Sequence, residues 1–442
     1  MDIALLNNLH CPFCGGGLTP SKLDATASEI RYGLLTCHCG VYPVVAGIAV
    51  FKKDDIVVKE GIAHIKAGRS QESLLALLKP SASLLLPDWV RLFDRIQGGG
   101  VIKRLVHKRV QRLWHERATE LILKARNYAT ALDLFNFLFA NKENYNYFAF
   151  RFGQPRHLVG LSFTRLIREV KRPILCLGSG CGHLTRSLVR QANGESVIGL
   201  DDFFFGLYVA KHWIAPGAQY ICCRADMSMP FQDGFFSTIF CSDAFQYFVN
   251  KVTALREARR ITAADGILIL VSLRNVFVRR RGDGLPLPPS GYASLVTDMP
   301  HRLIADHAVL ERYLQKQGPA LTWSTPSEEL AEEHFLSLVA SNRTEVFQDY
   351  GDFEDWPHAD GILAINPLYV AEESNIDPSI RLRLALPSDH YEEDNSECRE
   401  YLPDSVVVQA EVLDDLRNRR RTSRLESLIE KCVVIGLPER YQ

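Results

Sequence analysis

The chain has almost no excess of charge of either sign. Its 442 residues carry 51 Lys and Arg against 52 Asp and Glu, a formal net charge of −1. That balance supplies no bulk attraction to polyphosphate or to an anionic membrane, and it argues against a nucleic-acid substrate. Long apolar runs are also missing. The longest uncharged stretch, Tyr32 to Phe51, is broken by Cys37-His-Cys-Gly40 and by Pro43 and does not read as a membrane span. The start, Met1-Asp-Ile-Ala-Leu-Leu-Asn-Asn, has neither a basic lead nor a long apolar segment, so no secretory leader is expected. Internal repeats and low-complexity segments are absent too. Eleven cysteines without secretory features therefore point to reduced thiols in a cytoplasmic setting. With 47% apolar and 23% charged residues, the composition is that of a globular protein with a large core, too long for one ordinary domain.

What is present is an ordered run of short apolar segments in the middle of the chain. Ile174 to Leu177 has the length of a strand buried on both faces. Gly178-Ser-Gly-Cys-Gly182 follows with three glycines at alternate positions, then Leu184 to Gln191 with apolar residues at helical spacing. Strand, glycine turn and helix is the means by which an α/β fold brings bare backbone up to a ligand, because a Cβ there would obstruct the approach. Ser196 to Asp202 reads as a second strand ending in carboxylates, about twenty residues after the turn, where nucleotide-binding folds keep the acid that accepts from ribose hydroxyls. Tyr220 to Asp226 is a third strand ending in an acid, and Met227 to Gly234 a loop with Pro230 and an Asp-Gly turn. Phe236 to Cys241 is the fourth strand, followed by Ser242-Asp-Ala-Phe-Gln-Tyr-Phe248. The helix Val252 to Ile261 leads through Asp265-Gly266 into a fifth strand, Ile267 to Ser272.

In order and spacing, ILCLGSGCG, VIGLDD, CRADMSMPFQDGFFSTIFCSDAFQYF and REARRITAADGILILVS resemble the core of class I S-adenosylmethionine (SAM)-dependent methyltransferases. The resemblance implies SAM as cofactor and an α/β, Rossmann-like seven-stranded sheet. It further implies that Gly178, Gly180 and Gly182, with Ser179 among them, line the methionine and ribose of the cofactor. Asp201, with Asp202 as the adjacent alternative, would take the ribose hydroxyls. Asp226 would sit by the adenine amino group with Met227 against the ring, and Ser242 and Asp243 would face the sulfonium and the substrate. Asp243 and Tyr247 are the candidate catalytic residues, because they lie on the stretch that should face the acceptor. The sequence departs from the family pattern at Cys176, where many members carry an acid that helps to hold the cofactor's amino group.

The amino-terminal segment carries the second motif. Cys11-Pro-Phe-Cys14 is backed by Gly15-Gly-Gly17, and Cys37-His-Cys-Gly40 follows after a spacer. Glycine behind a Cys-x-x-Cys knuckle lets backbone amides point at thiolates, and two such turns can close a tetrahedral zinc site. In the compressed second half, Cys39 with either Cys37 or His38 has the spacing to ligate; the set Cys11, Cys14, Cys37 and Cys39 is the expected one. CPFCGGGL and LLTCHCGVYPVVAGIAVF resemble the small zinc-ribbon-like proteins that activate RNA- and protein-modifying methyltransferases. The shared features are the CPxC knuckle, a second cysteine pair, Tyr42-Pro43 and Gly47-Ile48. A zinc held by four protein ligands has no open position for chemistry and is structural.

Four segments are therefore expected: a zinc-ribbon-like domain at 1–52, a mostly helical region at 53–165, the methyltransferase domain at 166–370 and a carboxy-terminal extension at 371–442. Within the helical region, Leu74 to Leu86 (broken by Pro80), Trp89 to Ile96, Leu105 to Leu123 and Tyr128 to Phe139 have apolar residues at helical intervals. Basic residues from Lys103 to Arg117 read as a solvated helix face. Asn144 to Phe152 is dense in aromatics, with Tyr145, Tyr147 and Arg151 as candidate pocket residues. Arg279 to Pro289 reads as a basic, proline-rich loop at the rim of the site. Tyr292 to Gln317 is expected to be helical, Phe335 to Ala340 and Gly361 to Ile365 to be the last two strands, and Phe347 to Trp356 a surface loop. The function expected is methyl transfer to a small molecule or a peptide-like natural product. The competing readings are an RNA methyltransferase and a non-catalytic scaffold on a methyltransferase fold.

Overall fold

Parallel strands buried on both faces need apolar residues at every position, and the alternation of side chains then feeds two separate cores. The computed structural model of the protein, which describes residues 1–79, 100–139, 141–168, 171–278, 284–372 and 379–442, is built on that rule. Its main sheet has eleven strands. They are β1 (Thr19–Ala25), β2 (Ile30–Cys37), β3 (Gly40–Val45), β4 (Ile48–Val50), β5 (Ile174–Leu177), β6 (Val197–Asp201), β7 (Gln219–Cys222), β8 (Phe236–Ser242), β9 (Thr262–Arg274), β10 (His301–Ala305) and β11 (Phe335–Ser341). Across the sheet the order is β1-β2-β3-β4-β7-β6-β5-β8-β9-β11-β10. In β5, Ile174 and Cys176 enter the core on one face, while Leu175 and Leu177 enter the core on the other.

From β7 to β9 all pairings are parallel, and β11 and β10 close that edge antiparallel. The glycine turn after β5 and the acids after β6, β7 and β8 therefore sit at the same, carboxyl, edge of the sheet, where open α/β folds bind ligands. The other edge is extended by the amino-terminal ribbon. Its strand β4 pairs parallel with β7, through Ala49 opposite Ile221 and Val50 opposite Cys222, and Phe51 N donates to Cys222 O at 2.8 Å. The ribbon and the central strands thus share one hydrogen-bonded ladder.

The structure corrects two expectations in the later part of the sheet. Tyr292 to Gln317 is not one helix: β10 lies between the helices Pro289–Ser294 and Asp306–Leu314 and supplies the edge strand. Gly361 to Ile365 does not complete the sheet. β12 (Ile362–Ile365) pairs instead with β16 (Val434–Leu437) in a separate two-stranded sheet. β13 (Tyr369–Glu372), β14 (Ile380–Leu384) and β15 (Ser405–Val408) form a third, small antiparallel sheet. The seven central strands are complete, but with β10 as their last member. Periodicity missed β10 because a five-residue edge strand abutting a helix has no room to establish its own pattern.

Helices in the segment before β5 start where the sequence supplies side-chain caps. Thr130 and Asp133 form a reciprocal capping box for Ala131–Leu138, Asn141 caps Lys142–Ala149, and Pro155 opens Pro155–Ser162. The helix expected over Trp89 to Ile96, the basic side chains of Lys103, Arg104 and His107, and the turn Arg279 to Asp283 lie outside the described residues. Phe347 to Trp356 packs against the helix Asp306–Leu314: Trp356 Nε1 donates to Tyr313 O at 3.2 Å and Arg312 pairs with Asp349. In the basic run near the carboxy-terminal end, Arg419, Arg420, Arg421 and Arg424 pair with Glu439, Asp414, Glu426 and Asp415 at an exposed surface. No helix among the described residues is long and apolar enough to cross a membrane.

Beneath the carboxyl edge lies a buried acid whose side-chain hydrogen-bond partners, among the described residues, are two neutral hydroxyls. Asp306 is 5% exposed and accepts from Ser272 Oγ at 2.8 Å and Ser337 Oγ at 2.6 Å. Burial raises its pKa from 3.8 to about 7, with the two hydroxyls opposing and the charges of Asp243 and Glu397 adding to the rise. The folded protein then holds a proton that the unfolded chain releases above its ordinary pKa, so this group lowers stability as pH rises from about 4 to 7. Asp306→Asn should raise the melting temperature at pH 8 and leave it nearly unchanged at pH 4.5, as read by calorimetry at the two pH values.

Candidate functional site

The turn after β5 is fixed by a shared acceptor: the amides of Gly178 and Ser179 both donate to Leu200 O, at 2.8 and 3.1 Å. Gly178, Gly180 and Gly182 all have positive φ (70°, 51° and 85°), which L side chains rarely adopt. A Cβ on Gly178 would run into Ala244, and one on Gly182 would meet Ala210 Cβ at 2.6 Å. Gly180 is different, because a Cβ there would meet only the Phe148 ring, at 3.5 Å. Its exposed backbone faces the cleft.

That cleft, about 470 Å³, brings together Gly178, Ser179, Gly180, Asp201, Ser242, Asp243 and Tyr247 of the residues singled out from sequence. Gly182 is behind it, capping the helix His183–Gln191. Asp202 and Asp226 line an adjoining hollow of about 400 Å³ that shares Gly178, Asp201, Ala244 and Tyr247 with the first. Met227 lies 40% exposed in a third hollow, with Phe13 and Lys52 of the ribbon, that shares Asp202, Cys223 and Arg224 with the second. The side chains beside Asp226 are instead Phe248 and Val249. The family resemblance set Met227 against the adenine ring beside Asp226; here the two residues line neighbouring hollows.

Asp201 is held by backbone. Gly180 N donates to Oδ2 at 2.8 Å and Phe203 N to Oδ1 at 2.9 Å. Burial raises its pKa from 3.8 to about 6; these amides oppose the shift and Asp202 adds to it. The carboxylate keeps lone pairs toward the cleft and is more basic than an ordinary Asp. Ser179 lines the cleft by its backbone side, while its Oγ is buried against Gly199 of β6 without a hydrogen-bond partner. Asp226 is clamped by the Arg224 guanidinium at 2.9 Å through both oxygens, which lowers its pKa. Cys176 lines the same cleft; burial pushes its thiol up to about 12, so it stays neutral.

Asp243 reaches the cleft as expected, but in company that changes its chemistry. It is 4% exposed, with φ +52°, and accepts from Tyr147 Oη (3.0 Å), Arg151 Nη1 (3.1 Å) and Gln246 Nε2 (2.9 Å); Arg156 Nε is 3.4 Å away. Burial alone would raise its pKa, but Arg156, Arg151 and Arg274 outweigh that and hold it below the usual carboxylate range. A carboxylate so supplied with donors is a weak general base and an effective anchor for cations. Tyr247 is half exposed at the junction of the two hollows, and burial of its hydroxyl raises its pKa, so it stays protonated.

Of the aromatic segment, Tyr147 and Arg151 line the cleft, while Tyr145 points away and packs edge-on against Phe150 (6.4 Å). Sequence reasoning missed Arg156, Arg274 and Asp394. Arg156 bridges Asp243 to Asp394 (Nη2 to Oδ2, 2.7 Å), and Arg274 Nη1 reaches Asp394 Oδ1 at 3.0 Å. Asp394 comes from the carboxy-terminal extension, whose Ser388, His390 and Tyr391 also line the cleft. His183 is not a base here: burial, then Arg151, lowers its pKa to about 3. His212 sits outside the cleft, with Nδ1 2.7 Å from Arg126.

In the ribbon, the thiol sulfurs of Cys11, Cys14, Cys37 and Cys39 all lie within 4.8 Å of one another. The close pairs are Cys11–Cys39 at 3.5 Å, Cys37–Cys39 at 3.4 Å and Cys14–Cys37 at 3.8 Å. A tetrahedral ZnS4 site with Zn–S bonds of about 2.3 Å needs sulfurs about 3.8 Å apart, so the donor set fits.

Residues 175–270 match the family described as methyltransferase domain. The match is a likeness of this central segment to methyltransferase domains. Over 107 residues the chain is 30% identical to the malonyl-(acyl-carrier protein) O-methyltransferase of Halorhodospira halophila, covering 24% of this chain and 36% of that protein. Over 111 residues it is 32% identical to the demethylmenaquinone methyltransferase of Thermotoga maritima, covering 25% of this chain and 48% of that protein. The chain thus spans between about a third and a half of the length of these relatives. Among solved structures, a methyltransferase in complex with the Haloferax volcanii methyltransferase activator is 21% identical, with 42% of this chain and 90% of that chain covered and a TM-score of 0.32. The matched segment holds β5 to β8 and most of β9, and the cleft is completed by elements outside it.

One such element is Tyr441. Its hydroxyl shares its proton between Phe148 O and Ala149 O (2.9 Å each) and lies 3.3 Å from His183 Nε2. It therefore ties the cap helix Lys142–Ala149 to the helix that starts at the glycine turn. Tyr441→Phe takes a donor from Ala149 O and from Phe148 O, which still accepts from Phe150 N, and should cost about 1–3 kcal/mol. Hydrogen exchange should show the greatest loss of protection in residues 142–149, with denaturant titration giving the total.

Proposed function

We propose that the protein is a SAM-dependent methyltransferase acting on a small molecule or a peptide-like product. The observation that carries this reading is the wall around Gly180: bare backbone at positive φ and the backbone-held Asp201 carboxylate border one cleft. When bound, SAM supplies an activated methyl group for in-line displacement, so the protein's task is alignment and exclusion of water. In this reading Asp201 accepts from the ribose hydroxyls and Ser179 lines the cofactor with its backbone. Asp226, fixed by Arg224, accepts from the adenine amino group, with Phe248 beside the ring. Tyr147, Phe148 and the rest of the cap helix close the cleft from above.

The four cysteines would hold one structural zinc, leaving no ligand position open. The ribbon then corresponds to the activator-type proteins that it resembles, joined in line to the domain it supports. The pairing of β4 with β7 supports that role, because β7 leads directly into Arg224 and Asp226.

Two measurements test these assignments. Titration calorimetry with S-adenosylhomocysteine should give micromolar binding at pH 7.5, and Asp201→Asn should weaken it by about 1.5–3 kcal/mol, the value of a hydrogen bond to a charged group. Hydroxyls bind the ionised carboxylate, and the free site titrates at about 6. Affinity should therefore be full above pH 7 and fall as pH drops through 6, with a flat profile in Asp201→Asn. Absence of binding at millimolar ligand overturns the enzyme reading in favour of a scaffold. Elemental analysis should find one zinc per chain, lost together with thermal stability in Cys11→Ser; a metal-free, equally stable variant pair removes the zinc assignment.

A further inference from the structure

The acceptor half of the cleft carries more positive charge than its own acids neutralise. Arg151, Arg156 and Arg274 are paired there with two carboxylates, Asp243 and Asp394, so three cations share two anions; the cleft's other carboxylates are Asp201, at the end of β6, and Glu143, exposed in the first turn of the cap helix. All three guanidiniums belong to nearly buried residues; Arg156 is 2% exposed. Its nitrogens are unequally used. Nη2 donates to Asp394 Oδ2 (2.7 Å) and Asn395 Oδ1 (3.2 Å), and Nε faces Asp243 at 3.4 Å. Nη1 is buried and has no hydrogen-bond acceptor.

The location separates this charge from the cofactor groups. Asp201 and Asp226 follow β6 and β7, whereas Asp243 follows β8 and Arg274 ends β9, on the other side of the glycine turn. The ring of Phe335 lies under both Arg156 and Arg274, 5.0 and 5.1 Å from their central carbons. Phe335 and the two aspartates hold the guanidiniums in place before any ligand arrives. A fixed, water-poor guanidinium with an unused N–H favours a planar or tetrahedral oxyanion over a neutral group of the same size.

We infer that the acceptor enters this half of the cleft with an anionic group, a carboxylate or a phosphate ester, that docks on Arg156 Nη1 between Arg151 and Arg274. The inference rests on the methyltransferase reading of the neighbouring half and deepens it by naming a class of substrate. Asp243 and Asp394 then act as positioning residues for the arginines.

The test uses the full chain saturated with S-adenosylhomocysteine and three ring compounds of similar size: benzoate, phenyl phosphate and benzyl alcohol. Calorimetry or ligand-detected NMR should show at least one anion binding about tenfold or more tightly than the neutral alcohol. The better anion tells carboxylate from phosphate. Arg156→Lys, which keeps the charge but loses the fork, should erase most of that preference while S-adenosylhomocysteine affinity stays unchanged. Equal binding of the three compounds overturns the inference, as does competition between the anions and S-adenosylhomocysteine, which would give the arginines to the cofactor's own carboxylate. If Arg156→Lys does not fold, the anion-to-alcohol ratio in the unaltered protein decides. Failure of S-adenosylhomocysteine to bind is a separate result that removes the methyltransferase reading; an anion preference measured without it would still leave the docking site standing.

Discussion

Two amides share one carbonyl, and the cleft takes its shape from that arrangement. Because Gly178 N and Ser179 N both point at Leu200 O, the chain must reverse sharply as it leaves β5, and the next amide, that of Gly180, is turned toward Asp201. The turn is possible only with positive φ at alternate residues, and it places the helix His183–Gln191 over the sheet. Everything that borders the cleft is referred to this corner. The cap helix rests on Gly180 through Phe148, Ala244 fills the space that a Cβ on Gly178 would need, and Asp201 ties the turn to β6.

The opposite half is organised by charge. Burying an ion pair is expensive and is offset only when each lone pair and N–H finds a partner. Asp243 meets that condition with donors from Tyr147, Arg151 and Gln246. Asp394 meets it with two arginines, which hold its carboxyl well below the usual range after burial has raised it. Rigidity in this half is therefore electrostatic, whereas in the cofactor half it comes from backbone hydrogen bonds. Removing one member would strand the others, so these residues are coupled and their effects will not add.

Much of the cofactor half was legible in the sequence because it is local. β5 coincides with the expected Ile174–Leu177, and the helices at 183–191 and 251–261 begin within one residue of expectation. Glycine turns and strand-end acids announce themselves within a few positions. The arginine cluster does not, since Arg156, Arg274 and Asp394 lie on distant segments and nothing in the local sequence marks a buried arginine. β10 was hidden by the helix that follows it, and β12 was assigned to the wrong sheet because its partner β16 lies some seventy residues away.

The contact between Tyr441 and His183 spans 258 positions of sequence. The central strands can pair as soon as residues 174–274 are available, but the cap over Gly180 cannot be secured until the chain has been made as far as Tyr441. Closing so long a loop adds an entropy cost to that of pairing the strands. During synthesis on the ribosome, the domain would pass through an interval with a formed sheet and an open, wet pocket. Cofactor arriving in that interval would meet the glycine turn without its cover, and binding would then help to drive the final closure.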